Sequence, residues 1–570
     1  MSIPKPRKRM LGEALLEKGL VNQDQLRIAL TEQKKQNIPL GKILIQLGFV
    51  SEAQIRDALG ETTGQESISL ANVIADADAV RLIPKEVARR YKMVPLSFDR
   101  DQNILTVAMA DTFNVVAIDQ LNAALGGEIQ VKTLLAAEPE IEAAIDNFYG
   151  FELSIDGIIN EIETGEVDYT SLQAGNNEYS QPLVRLVDAL LADAVKRGAS
   201  DIHFEPEQGF LRVRYRIDGV LRQVRTLHKN YWSGISVRLK VMAGLNIAET
   251  RAPQDGRISL TLLGRPIDFR VAAQPTTHGE NIVLRVLDRQ KGIVPLDKLN
   301  LTEDMLSLLK LLMARPNGII LVTGPTGSGK TTTLYSMLNH VNSEDVNIMT
   351  LEDPVEYPMS MIRQSSVNEA TKMDFANGIR SMMRQDPDII LVGEIRDEQT
   401  AEMAFRAAMT GHQVYSTLHS NSAVGAIPRL LDIGVKPEVM EGNIIGIVAQ
   451  RLARRLCLHC KEAYAPSELE RMLLGLSDVQ YEQVQLYRAK GCERCDNRGY
   501  KGRFSLLEIL RMDAAIDELL ARRASKHELE QHAKARGFKT LADDGVRFIL
   551  NGVTSLEEVS RVVDLTTRIA

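Results

Sequence analysis

Residues 324–331 read Gly-Pro-Thr-Gly-Ser-Gly-Lys-Thr and satisfy G-x-x-x-x-G-K-[ST] at every fixed position. An apolar run, Gly318 to Thr323, precedes them, and a helical pattern, Thr332 to Leu338, follows. That order requires a strand, a tight loop and a helix. The glycines let successive backbone N–H groups converge on phosphate, and the helix N-terminus adds partial positive charge. Gly324, Pro325, Thr326, Gly327, Ser328, Gly329, Lys330, Thr331 and Thr332 are therefore expected to surround the phosphates of ATP. Lys330 would reach the β- and γ-phosphates, and the Thr331 hydroxyl would hold Mg²⁺.

Two further strand patterns end in acids. Val346 to Leu351 leads into Glu352-Asp353-Pro354, and Ile389 to Val392 leads into Gly393-Glu394. Open α/β sheets collect ligand groups at the carboxyl ends of their strands. A carboxylate there can orient Mg²⁺ through water or polarise the attacking water. Glu394 is expected to be essential and Glu352 to assist, and the choice of general base stays open between them. His412 and His419 follow in GHQVYSTLHS. Alone they read as core or capping histidines; beside a phosphate loop they are candidates to sense the γ-phosphate.

At 570 residues the chain is too long for one core and should hold three or four domains. A net charge of -7 argues against a protein that coats nucleic acid with its whole surface. No apolar run reaches the length of a membrane span, and the basic start, Met1 to Arg9, leads into an amphipathic pattern rather than a signal core. The chain is expected to stay in the cytoplasm. The pattern divides into a helical part at 1–64, an α/β part at 65–150, a polar acidic linker at 151–180, an α/β domain at 181–295 and the phosphate-loop domain at 296–570. The last of these ends in helices, with Thr554 to Glu557 read as a T-x-x-E capping box.

The four cysteines form two CxxC pairs, Cys457/Cys460 and Cys492/Cys495. Two such turns can place four thiolates tetrahedrally around Zn²⁺, and a closed site of that kind is structural. Free thiols are the alternative, and His459 is a rival ligand. Arg451, Arg454, Arg455, Lys461, Arg494, Arg498, Lys501 and Arg503 flank the pairs and suggest either a face for an acidic partner or a solvated surface.

The N-terminus contains a repeat. Leu11, Gly12, Leu15, Leu16, Gly19, Leu20, Val21, Leu26 and Leu30 recur 29 residues later as Leu40, Gly41, Leu44, Ile45, Gly48, Phe49, Val50, Ile55 and Leu59. Gly19 and Gly48 are expected to close helices, with Asn22 and Ser51 as the next N-caps.

These motifs together resemble the ATPase family of type II secretion and type IV pilus assembly. The loop 324–331 matches its Walker A, 349–357 its Asp box, 386–397 its Walker B with Glu in place of Asp, and 411–423 its His box. The resemblance implies a RecA-like P-loop ATPase domain, preceded by a PAS-like α/β domain and a helix-rich N-terminal regulatory domain, assembled as a homo-hexamer. It implies that Arg270 and Arg285 contact the γ-phosphate, that the cysteines hold zinc, and that the motor docks on a platform protein and docking proteins at the inner membrane.

The repeat is similar to the N-terminal domain of mannose-sensitive haemagglutinin pilus ATPases. That domain binds cyclic di-GMP through two 24-residue motifs with a 5-residue spacer. Here 10–33 and 39–62 correspond, with 34–38 between. The resemblance places Arg9, Leu11, Gly12, Leu15, Leu26, Leu30, Gln33, Leu40, Gly41, Leu44 and Leu59 at the ligand. Position 10 is Met where the motif opens with Arg, and Thr62 stands where Gln closes it. The other reading is a helical docking domain whose leucines are core. Rival functions are a type II secretion ATPase, a DNA-translocating ATPase, disfavoured by the acidic charge with no stable nucleic-acid partner expected, and a nucleotide-binding scaffold.

Overall fold

The computed structural model describes residues 11–36, 38–50, 52–63, 65–70, 72–150, 153–164, 181–288, 293–368, 371, 373–476 and 484–568. The chain forms two compact units, residues 1–289 and 290–570. No helix among the described residues is long and apolar enough to cross a membrane.

The first unit opens with helices Leu11–Glu17, Gln23–Gln36, Leu40–Gln46 and Glu52–Thr63. Gly19 and Gly48 adopt positive φ (65° and 69°) after the first and third, the left-handed conformation glycine takes without a Cβ penalty. The Asn22 side chain accepts the Gln25 N–H (2.8 Å) while Gln25 Oε1 accepts the Asn22 N–H (2.9 Å), a reciprocal cap. Ser51, the other expected cap, lies outside the described residues. The repeat produces matched packing. A Cβ on Gly12 would lie 3.1 Å from Leu26 and 3.7 Å from Leu40; one on Gly41 would lie 3.1 Å from Ile55 and 3.6 Å from Leu11. Each glycine thus admits the second helix of its own copy and the opening leucine of the other.

A three-stranded sheet, Met93–Asp99, Ile104–Met109 and Gln130–Leu135, packs with helices over 65–150. A separate pair of residues, Val73–Ile74, runs parallel to Thr261–Leu262 and becomes the edge strand of the seven-stranded sheet that fills 199–288. Lys196 Nζ donates to Asp76 (2.9 Å) and Asp78 (2.8 Å) across the same junction. The two expected domains are therefore joined by backbone pairing and by charge.

The stretch read as a linker is in part helical. Residues Ile155–Thr164 form a helix, and Glu161 pairs with the buried Arg185 at 2.7 Å. Ile155, Ile158, Ile159 and Ile162 pack on the core of the sheet domain. Their i, i+3, i+4, i+7 spacing is a helical stripe that the acidic composition hid. Residues 165–180 lie outside the described residues.

In the second unit a seven-stranded sheet takes the order 362–366, 348–352, 389–392, 413–418, 318–323, 444–456, 500–511. All but the last run parallel. Every residue of Gly318–Thr323, Ile389–Val392 and Gln413–Leu418 is buried, as strands covered on both faces must be. Helices follow Arg511. The final helix, Leu556–Val562, is capped by Ser555, whose side chain accepts the Glu558 N–H, and not by the expected box at Thr554. Thr554 Oγ1 donates instead to the Arg454 carbonyl (2.8 Å), which shifts the cap by one residue.

Candidate functional site

The parallel sheet of the second unit gathers its chemistry at one edge. Glu352 closes one strand, Gly393-Glu394 follow its neighbour, His419 follows the next, and the phosphate loop follows the strand beyond. The Gly393 N–H donates to the Leu351 carbonyl (2.8 Å) and the Ile395 N–H to the Thr417 carbonyl (3.0 Å), so Glu394 is fixed between two flanking strands.

The loop itself is shaped by glycines at positive φ: Gly324 (151°), Gly327 (77°) and Gly329 (91°). A Cβ on Gly324 would meet the Gln450 carbonyl oxygen and Ser328 Oγ, each at 2.6 Å, and one on Gly329 would meet Gln450 Nε2 at 2.8 Å. Gln450 is buried and its Oε1 accepts the Thr333 hydroxyl (2.7 Å). It props the loop from the adjacent strand, a role invisible in the motif. Pro325, Thr326, Gly327 and Thr331 face solvent, and Thr332 is half-buried. Lys330 opens the helix Lys330–Val341 and its Nζ donates to the carbonyls of Gly324 (2.9 Å) and Pro325 (3.3 Å). Burial lowers the Lys330 pKa, the nearby Glu394 raises it, and Arg451 lowers it further.

The two acids differ. Glu394 is partly accessible, pairs with Arg396 and lies 3.5 Å from His419 Nε2. Glu352 is buried, and both of its oxygens are engaged. Oε2 accepts the Tyr335 hydroxyl (2.5 Å), while Oε1 accepts the Thr350 hydroxyl (2.5 Å) and the Gln364 amide (3.3 Å). Burial raises the Glu352 pKa against the lowering effect of these donors. Tyr335 lies on the helix that begins at Lys330, so this bond ties the phosphate-loop helix to the Asp box. A partly accessible carboxylate beside a histidine can accept a proton from water; a buried one with its lone pairs occupied is fitted to hold a frame.

The structure does not bring His412 to this edge. His412 precedes the six-residue strand Gln413–Leu418 and its carbonyl accepts the Gly318 N–H at the far end of the sheet. Six residues of strand span about 20 Å. His412 Nδ1 lies 2.9 Å from the Ala407 carbonyl and 3.1 Å from Thr410 Oγ1, and so caps the end of the helix Glu398–Met409.

In the first unit, Arg270 and Arg285 are direct cross-strand partners, and the row continues through Arg257 on one side and Asp201 and Arg216 on the other. Arg285 Nε donates to Asp201 Oδ1 (3.2 Å). Opposite positions on adjacent strands share a face, so Arg257 and Arg216 join the two arginines read from sequence.

Cys457, Cys460, Cys492 and Cys495 form one group with all Sγ atoms within 4.8 Å of one another. The measured separations of 3.7, 3.8 and 3.9 Å fit the edge of a tetrahedron of thiolates about 2.3 Å from Zn²⁺, which is about 3.8 Å. They are far longer than a disulfide. N–H groups of Gly491, Cys492 and Gly499 point at the sulfurs (3.2–3.3 Å), as outer donors to thiolates do. His459 stands outside the group, exposed against Arg494. Four of the flanking cations are engaged within the chain: Arg454 on Glu558, Lys461 on the Gly552 carbonyl, Arg498 on the Cys495 carbonyl and Arg451 on Asn421. Arg494, Lys501 and Arg503 are exposed.

The repeat residues split in two. Gly12, Leu15, Gly41 and Leu44 are buried, and Leu15 and Leu44 lie in the helical core with Val21, Ala29 and Ile43. Those leucines are core, not ligand-facing. Leu11, Leu26, Gln33 and Leu40 are half-buried, and Leu30 is 41% exposed. A depression of about 480 Å³ is lined by Gln23, Asp24, Leu26, Arg27, Leu30 and Thr31. Arg9 and the side chain of Leu59 lie outside the described residues.

Comparison with known proteins places this architecture. The family model described as type II/IV secretion system protein matches residues 176–561, and a model for the MshEN domain matches 63–155. The type IV pilus assembly ATPase PilB of Myxococcus xanthus is 40% identical over 562 residues, covering 96% of this chain and 98% of that one. The type II secretion system ATPase E of Vibrio cholerae is 40% identical over 497 residues, covering 86% and 98%. The solved structure of MshE with cdg is 32% identical and covers 25% of this chain and 99% of that chain, with a TM-score of 0.23. The chain belongs to the type II/IV secretion system protein family and is one of its ATPases.

Proposed function

We propose that this ATPase is the homo-hexameric motor that assembles a type IV pilus of the mannose-sensitive haemagglutinin class, under cyclic di-GMP control. It would work in the cytoplasm, peripheral to the inner membrane, against a platform protein and docking proteins. The observation that carries the regulatory part is the repeat: two copies 29 residues apart fold into matched helix pairs around Gly12 and Gly41, with Leu26, Arg27 and Leu30 left lining a surface depression. Leucine faces can cover guanine rings, and a guanidinium can meet phosphate.

At the catalytic edge, the loop amides and Lys330 bind the β- and γ-phosphates. Thr331 would hold Mg²⁺, which supplies charge neutralisation across them. Glu394 accepts the proton of the attacking water, with His419 beside it to register the γ-phosphate. Glu352, fixed by Tyr335, keeps the Asp box in register with the phosphate-loop helix. Arg270 and Arg285, with Arg257 in the same row, are assigned to the transferring phosphoryl. The four cysteines are assigned to structural Zn²⁺.

The second reading is a type II secretion motor without second-messenger control, favoured by the equal identity of the Vibrio relative. Calorimetric titration of cyclic di-GMP into the full chain separates the two. Saturable binding that weakens in Leu30→Ala supports the pilus reading. Absence of binding to the folded protein removes it and leaves the secretion motor.

A further inference from the structure

The His-box loop, residues 419–423, is strapped down at successive positions by groups that no catalytic motif contains. The Ser420 N–H donates to Thr323 Oγ1 (2.9 Å), at the base of the phosphate loop. Arg451 donates to the Asn421 carbonyl (2.9 Å) and Asn421 Oδ1 (3.2 Å). The Ala423 N–H donates to Glu508 Oε1 (2.6 Å). The second oxygen of Glu508 accepts the Leu541 N–H (2.8 Å), which opens a helix of the C-terminal tail.

Glu508 is 3% exposed. The donors to its two oxygens are the backbone amides of Ala423 and Leu541, and no side-chain cation pairs with it within salt-bridge distance among the described residues. An ionisable group so buried is costly unless it is paired or hydrogen-bonded; burial raises the Glu508 pKa, and the two amide donors oppose that. Arg451 is the cation whose charge bears on it, and burial in turn lowers the Arg451 pKa. Arg451 follows Gln450, whose carbonyl accepts from Arg451 (3.0 Å) and abuts Gly324. The same residue pair therefore touches the phosphate loop on one side and the His-box loop on the other.

We infer that Glu508 and Arg451 are positioning residues for ATP hydrolysis: they clamp the His-box loop so that His419 stands against Glu394, and Glu508 links that loop to the C-terminal helices. The inference rests on the reading of His419 and Glu394 given above. Neither residue belongs to the phosphate loop, the Asp box, the Walker B segment or the His box. Their effect passes through His419, which sets a specific expectation. Loss of the clamp lowers kcat and leaves ATP affinity nearly in place, because the phosphate loop and Lys330 remain and Arg451 is the smaller of the two influences that lower the Lys330 pKa. Once His419 is gone, the clamp has nothing left to position.

The test is a set of steady-state and nucleotide-binding measurements on the full chain carrying Glu508→Gln, Arg451→Gln, Arg451→Lys and His419→Ala, singly and in combination. Glutamine keeps the volume of Glu508 but offers one acceptor where two are used. Glu508→Gln and Arg451→Gln are each expected to lower kcat about 10-fold, with KM and fluorescent-ATP affinity within about 2-fold. Arg451→Lys, which can still reach the Asn421 carbonyl, is expected to recover part of the loss. In a His419→Ala background neither glutamine variant should lower kcat further. Full activity in both glutamine variants, or losses that simply multiply with that of His419→Ala, would overturn the inference. If Glu508→Gln does not fold, Arg451→Gln, on a half-exposed side chain, decides by the same criteria. Full activity in His419→Ala itself would sink the His-box reading, an outcome distinct from failure of the clamp alone.

Discussion

The phosphate-loop edge and the N-terminal repeat are both motifs of fixed spacing, yet they turned out differently in three dimensions. At the edge, Lys330, Glu352, Glu394 and His419 all come to the carboxyl ends of neighbouring parallel strands. In the repeat, Leu15 and Leu44 turn inward, while Leu26 and Leu30 line the surface. A charged residue at the end of a buried strand has few places to go, since burying it unpaired is expensive. A leucine at helical spacing satisfies a core as well as a ligand, and only the packing decides.

The largest expected effects are at the edge. Lys330→Ala should lower ATP turnover by about 100-fold or more, because it removes a charge aimed at the transferring group. Activity surviving it would show that the strand-end chemistry is not the site.

Next is the division within the repeat. Leu15→Ala or Leu44→Ala should destabilise the N-terminal helices by about 2–5 kcal/mol, the usual range for emptying a core position. Leu30→Ala should change stability by less than about 0.5 kcal/mol and weaken cyclic di-GMP. Differential scanning calorimetry and titration of the same proteins check both. Equal destabilisation by all three would erase the distinction between core and surface leucines.

The C-terminal tail gives a pH-dependent test of charge burial. Glu558 is fully buried, pairs with Arg454 and Arg561, and has its pKa lowered, the donors outweighing desolvation. A carboxylate depressed in the folded state stabilises above its unfolded pKa, and that contribution is lost as pH falls through the folded value. Glu558→Gln should therefore cost about 3 kcal/mol at pH 7, as breaking a buried pair does. The gap to wild type should close as pH drops below the ordinary glutamate range. A gap independent of pH would assign the cost to packing.

The smallest effect concerns metal. Chelation should release about one zinc per chain and loosen 457–499, with ATP affinity unchanged, because a closed four-thiolate site has no open position. Metal analysis and limited proteolysis read this out.

Most of the edge was legible because its residues sit within a few positions of strand ends that the apolar runs reveal. Gln450 and Arg451 were not. They reach the loop through parallel pairing of 444–456 with 318–323, a register between distant segments that no local pattern encodes. Arg451 read instead as one of eight basic residues near the cysteines. Of the two roles the sequence offered for His412, capping and phosphate sensing, it takes the first: the residues between it and His419 form one strand and put the two histidines at opposite ends. The helix Ile155–Thr164 was readable from its isoleucine spacing, and composition obscured it. The cysteine centre needed no register, since two CxxC turns carry their own geometry.

The proposed mechanism divides labour between a partly accessible Glu394 and a buried, hydrogen-bonded Glu352. Single-turnover hydrolysis by Glu394→Gln and Glu352→Gln, with ATP prebound, tests it most directly. Glu394→Gln should bind ATP normally and lose the chemical step by about 100-fold or more. Glu352→Gln should retain measurable chemistry and show a lowered melting temperature from its disturbed contacts with Tyr335 and Thr350. Near-normal chemistry in Glu394→Gln, with a stable and inactive Glu352→Gln, would contradict it.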